Sequence, residues 1–203
     1  MEQRERDGHQ ERDGDQERHG HCGRHGRRER HGHCERRTRY VNRTAHLPEV
    51  RQAVQEDIAE LVRLRALLFE TLGGEFFNPP SAGDDWRSAL AKVLEEKLTA
   101  TDAVRILVVE GDDGLAACGI GTVERWFPGP HNRNGLVGHV IGVVTDPAYR
   151  RRGHSRAIMA GLLDWFRERE VSRVDLYASA AGEPLYRALG FVDHPDPSLY
   201  WRP

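Results

Sequence analysis

The chain has 203 residues, with 30 Lys and Arg against 32 Asp and Glu, and its formal net charge of −2 excludes a polycation held to nucleic acid by charge alone. No apolar run nears the ~20 residues needed to span a bilayer, and the N-terminus has no hydrophobic signal core, so a cytoplasmic protein with no membrane partner is expected. Cys22, Cys34 and Cys118 are too few and too scattered for a disulfide framework, which fits a reducing compartment.

Residues 1–39 read as a tail. From Glu5 they repeat in sixes (ERDGHQ, ERDGDQ, ERHGHC, GRHGRR, ERHGHC), and no position of the repeat carries an aliphatic side chain. With nothing to bury, such a segment does not offset its own ordering entropy and is expected to stay disordered. His19-x-His21-Cys22 and His31-x-His33-Cys34 bring imidazole and thiolate ligands into two similar clusters. Both clusters also fall out of simple duplication of the hexad, so no metal is assigned. Foldable sequence begins near Tyr40, and a non-methionine start at Val41 would remove the tail altogether. Residues 40–203, roughly 160 in number, suffice for one core.

Within that domain, Val50-Arg-Gln-Ala-Val54 alternates as a short strand does. A helix is expected from about Asp57 to Leu72, with Ile58, Leu61, Val62, Leu64, Leu68 and Phe69 on one stripe and Gly73-Gly74 as the stop. The segment 75–83 with Asn-Pro-Pro reads as a loop, and Asp84 or Asp85 caps a second helix to about Leu98. Val104–Val109 and Leu115–Trp126 are strands around a Glu-Gly-Asp-Asp-Gly turn, with Cys118 as a small core residue. Phe127–Asn134 is a loop and Gly135–Thr145 a strand. After a further helix come a strand at Val171–Ala178, a short helix at Glu183–Leu189, and strands at Phe191-Val192 and Leu199–Trp201.

The junction after Thr145 organises the rest. The β-branched run Gly138-His-Val-Ile-Gly-Val-Val-Thr145 meets Asp146-Pro-Ala-Tyr-Arg150-Arg-Arg-Gly153-His-Ser155, and a segment of helical periodicity from Arg156 to Arg169 follows at once. Strand, turn and helix in that order leave the first helical amides without intrahelical partners, at the positive end of the peptide dipoles. Arg150, Arg151, Arg152 and Arg156 add fixed positive charge, which suits a multiply phosphorylated ligand. The glycine spacing excludes both the Walker A loop and the dinucleotide fingerprint.

Arg150-x-x-Gly153-x-Ser155 after Val-x-x-Pro-x-Tyr resembles the acetyl-coenzyme A pyrophosphate loop of the GNAT N-acetyltransferase superfamily. A second signature of that family follows at Glu183-Pro-Leu-Tyr186-Arg-Ala-Leu-Gly190-Phe191. Ser155 departs from the family's usual Gly or Ala. The resemblance implies an α/β fold with a mixed, mostly antiparallel sheet, splayed central parallel strands and flanking helices. It implies transfer of an acetyl group from acetyl-CoA to a primary amine, by direct attack in a ternary complex. The small-molecule amine is the leading acceptor and a protein N-terminus or lysine the alternative; a homodimer is compatible with it. A different class of function, an acetyl-CoA sensor of the same fold without turnover, also fits.

Carried over residue by residue, the backbone of Val143, Val144 and Thr145 would pair with the pantetheine arm, with Gly138 and Gly142 relieving crowding along that strand. Arg150 to Arg156, including Gly153, His154 and Ser155, would hold the pyrophosphate. Ser179 stands where relatives carry an asparagine bonded to pantetheine. Tyr186 falls on the general-acid position. For the general base, Glu124 is the first candidate and His139 the second. Glu70, Glu75, Phe76, Phe77 and Trp86 are expected on the acceptor wall, though Phe76 and Trp86 also fit as aromatics that close the core.

Overall fold

The computed structural model describes residues 48–72, 85–99 and 102–201. The hexad tail with its His-Cys clusters, Val41, the helix stop at Gly73-Gly74, the 75–83 loop with Glu75, Phe76 and Phe77, and Asp84 lie outside the described residues. Among the described residues, no helix is long and apolar enough to cross a membrane.

The elements are β1 (Arg51–Gln52), α1 (Ile58–Leu72), α2 (Asp85–Thr99), β2 (Val104–Gly111), β3 (Gly114–Arg125), β4 (Leu136–Thr145), α3 (His154–Glu168), β5 (Arg173–Leu176) and α4 (Glu183–Ala188). They form a five-stranded sheet in the order β1-β2-β3-β4-β5, antiparallel throughout except for the parallel pair β4 and β5. Two cores sit on its two faces. On one, Leu61 and Leu64 of α1 and Leu94 of α2 pack on Ile106, Val108, Cys118 and Val144. On the other, Ile158, Met159, Leu162, Trp165 and Phe166 of α3 pack on Leu107, Val109, Ala116, Ala117 and Val140. Each such aliphatic or aromatic side chain contributes ~1.5–3 kcal/mol relative to leaving it in water, which makes α3 the main clamp on the sheet. Cys118 is the small core residue expected, and burial pushes its thiol up to about 12.

Three details differ from expectation. Phe191-Val192 and Leu199–Trp201 are not strands: the Phe191 amide donates to Tyr186 O at 3.1 Å in the turn that ends α4, and Val192, Leu199, Tyr200 and Trp201 are exposed. The parallel pair therefore lies at one side of the described sheet, with β5 outermost. Gly138 and Gly142 make room for this chain's own side chains. A Cβ on Gly138 would lie 2.8 Å from the Phe166 ring, and one on Gly142 would lie 2.5 Å from Arg65 Nη1 and 3.1 Å from Leu68.

The feature that positions the site is a bulge in β4. Ile120 pairs with Gly142 and Gly121 with Val140, so Ile141 is the extra residue. A bulge bends its strand and raises its twist. Pairing with β5 ends at Val140 and Leu176, just before the bulge. From Ile141 to Thr145, β4 keeps β3 on one edge and has no described strand on the other.

Candidate active site

The turn after β4 is held in place from three sides. Asp146 accepts from Ala148 N at 3.0 Å and pairs with Arg63 of α1 at 2.6 Å, and both hold its carboxyl below the usual range. Arg63 also donates to the carbonyl of Leu115 at 2.9 Å and pairs with Glu60. Tyr149 closes the single turn of 3-10 helix at Pro147–Tyr149, and its hydroxyl accepts from Asp112 N at 2.7 Å in the β2–β3 turn. Arg63 and Glu60 were not anticipated from the sequence, since an ion pair between residues 63 and 146 has no local pattern.

Beyond Tyr149, Arg151 (φ 65°) and Gly153 (φ 89°) adopt left-handed backbone on either side of Arg152. Among the described residues, none of the six backbone N–H groups from Arg151 to Arg156 donates to an acceptor of this chain; the first amide bonded in helical fashion is Ala157 N, to Gly153 O at 3.0 Å. Arg150, Arg151, Arg152 and Arg156 are exposed and form no ion pair among the described residues. Six amides without a described acceptor, an α-helix N-terminus and four guanidinium groups without a described carboxylate partner are the groups that a phosphorylated ligand would need.

Two residues of the loop turn inward. Ser155 Oγ lies 2.8 Å from Thr145 Oγ1, so the serine ties the first turn of α3 to the end of β4. His154 is buried edge-on against Tyr149, ring centroids 6.2 Å apart, and neither of its nitrogens has a partner. Burial, and secondarily Arg152, depresses its pKa. A histidine neutral in the folded state binds a proton first when unfolded, so its contribution is full above about pH 6.5 and is lost as pH falls below it. Melting temperature is therefore expected to fall between pH 7 and 5, and to fall less in His154→Gln. An equal fall in both would place the acid sensitivity elsewhere.

Tyr186 lies on α4, in contact with Phe191 at 6.0 Å between ring centroids, and packs at the margin of the α3-side core with Val143 and Leu176. Burial raises its pKa, and its hydroxyl forms no hydrogen bond among the described residues. Ser179 starts α4: its Oγ accepts from Gly182 N at 3.2 Å and its carbonyl from Glu183 N at 2.9 Å. The serine hydroxyl keeps its own proton free to donate.

Glu124 and His139 come together on adjacent strands, Oε2 to Nε2 at 3.8 Å. Trp126 Nε1 donates to the same Glu124 oxygen at 3.2 Å, and His139 is in register with Asp175 on β5. Of the expected acceptor-wall residues, Trp86 meets Phe69 edge to face at 5.4 Å between centroids, and Glu70 is exposed at the end of α1.

A model of the Acetyltransferase (GNAT) family matches residues 66–191. Glucosamine 6-phosphate N-acetyltransferase of Trypanosoma brucei brucei is 38% identical over 76 residues, 37% of this chain and 52% of that protein, so the match spans about half the length of that relative. Glucosamine 6-phosphate N-acetyltransferase 1 of Oryza sativa subsp. japonica is 32% identical over 119 residues, 57% of this chain and 67% of that one. Among solved structures, a protein of Clostridium acetobutylicum described as a predicted acetyltransferase with acetyl-CoA superposes with a TM-score of 0.66 at 24% identity, covering 76% of this chain and 96% of that one.

Proposed function

Because this chain belongs to the GNAT acetyltransferase family, we propose that it moves an acetyl group from acetyl-CoA to the primary amine of a small molecule, by direct attack in a ternary complex. The observation that carries this reading is the run of six amides from Arg151 to Arg156 without a described acceptor, beside four arginines without a described carboxylate partner and just beyond a β4 edge that no described strand covers. A diphosphate matches the first and an extended amide-bearing arm the second.

Under this reading the loop amides and Arg150, Arg151, Arg152 and Arg156 hold the pyrophosphate. The β4 edge at Val143, Val144 and Thr145 takes the arm as a further strand, with the Ser179 hydroxyl as a donor from the opposite side. A backbone N–H beside the Ile141 bulge stabilises the oxyanion that forms as the amine adds to the thioester carbonyl. Glu124 and His139 accept the amine proton, directly or through water, and Tyr186 protonates the departing thiolate. The roles of the loop fall on backbone and fixed charge, whereas those of the acid and base fall on single side chains. Amino sugar phosphates are the acceptors to try first, on the strength of the two named relatives.

The test is release of free coenzyme A from acetyl-CoA by the full chain against a panel of amines. Amine-dependent release with a matching acetylated product is expected. Saturable acetyl-CoA binding without release on any amine would instead make the protein a sensor.

A further inference from the structure

Arg65 stands apart from the other arginines of the α1 side. Arg51 pairs with Asp57 and Glu110, and Arg63 pairs with Glu60 and Asp146. Arg65, two residues on, is half-buried and has no carboxylate partner among the described residues. Among the described residues its guanidinium lies over the face of Phe69 at 4.9 Å and makes a long 3.5 Å approach to the carbonyl of Ile141. Apolar side chains, Leu61, Leu68, Leu90 and Ile120, line the space around its stem. Burial consequently works against its charge. Neither Nε nor Nη2 is a buried atom without a partner, so those donors face solvent, and what the guanidinium lacks among the described residues is a counter-charge.

Its location gives the deficit a meaning. Ile141 is the bulge residue at which β4 leaves β5, and the neighbouring Gly142 has no Cβ, which is what lets the guanidinium lie against the strand. Arg65 reaches this point from the α1 side of the sheet, and the pyrophosphate site proposed above is on α3, against the opposite face. The charge is thus set at the point where an acyl group carried between β4 and β5 would emerge, on the side away from α3.

We propose that Arg65 is the specificity-determining residue for the acceptor, and that it pairs with an anionic group, phosphate or carboxylate, carried by the amine substrate. This rests on the acetyltransferase reading above. A planar guanidinium offers two parallel donors to either anion. Held near the amine, its charge also disfavours the ammonium form and so favours the neutral nucleophile. An amine without an anion leaves the guanidinium unpaired in the complex, which is a penalty as well as a missing attraction.

Two matched pairs of acceptors separate the sources of the anion: glucosamine 6-phosphate against glucosamine, and an α-amino acid against its amide. In the wild-type chain the anionic member of one pair is expected to have a kcat/KM higher by about 10²-fold. Arg65→Gln should reduce that preference to roughly threefold or less, chiefly through the acceptor KM, Arg65→Lys should restore part of it, and the KM for acetyl-CoA should not move. No preference in either pair, a preference that survives Arg65→Gln, or a loss that falls on acetyl-CoA would each overturn the proposal. Should no amine turn over, the acetyltransferase reading fails separately, and calorimetric titration of the same four compounds into the coenzyme A-loaded chain decides for Arg65. Binding of an anionic member that Arg65→Gln abolishes supports it, and no binding overturns it. In the ligand-free chain, Arg65→Met should melt at a higher temperature; a lower one with lost cofactor binding would make Arg65 a structural residue.

Discussion

Gly153→Val is expected to bind acetyl-CoA at least 10²-fold more weakly than the wild-type chain, while Gly153→Asn keeps most of the affinity. The reason is conformational. Gly153 sits at φ 89° immediately before α3, and among the described residues a Cβ there would meet Pro48 alone, at 3.8 Å, so the strain is conformational and not steric. A β-branched residue strongly disfavours left-handed backbone, whereas asparagine tolerates it. To relieve the strain, valine would pull φ negative and rotate the amides of His154 and Ser155 out of place. Several charge-assisted bonds to one diphosphate would go together, each worth ~1.5–3 kcal/mol, which is enough for the stated loss. Isothermal titration gives the affinity, and a melting curve on each variant separates lost binding from lost fold. Equal affinities for wild type, Asn and Val would place the pyrophosphate elsewhere.

Tyr186→Phe should lower kcat by about 10²-fold and leave the acetyl-CoA dissociation constant within about twofold. The hydroxyl has no partner among the described residues and burial raises its pKa, so it stays protonated, as a proton donor must. A thiol with a pKa of ~8.5 leaves readily near neutral pH, so the help required is modest and the loss stays at the low end for general acid catalysis. The ring itself packs against Phe191 and fills space beside Gly182, where a Cβ would lie 3.0 Å from it. Phenylalanine preserves that packing. Parallel losses in kcat and in cofactor affinity would mean that the ring, and not the oxygen, is what matters.

Positions with local signatures were legible in the sequence and positions fixed by distant partners were not. The helix stripes, the β2–β3 hairpin and the strand-turn-helix junction were read to within a few residues, because periodicity and turn chemistry act over short range. Ser155 looked like a small residue tolerated near phosphates, and it is bonded to Thr145 across the turn. Gly138 and Gly142 looked like clearance for a ligand, and they clear Phe166 and Arg65. The apolar residues at 199–201 read as a closing strand, but they are exposed and form no strand.

The sequence by itself determined the order of the elements up to α4, the turn between β4 and α3 and the residue types placed at it, since each depends on the chain within about one turn or strand. Only the tertiary structure decided where β4 separates from β5, that Arg63 and Tyr149 anchor the turn, and that Arg65 has no carboxylate partner among the described residues. Those outcomes depend on which residue of one strand faces which residue of another. A one-residue bulge resets that register, and no periodicity along a single segment records it.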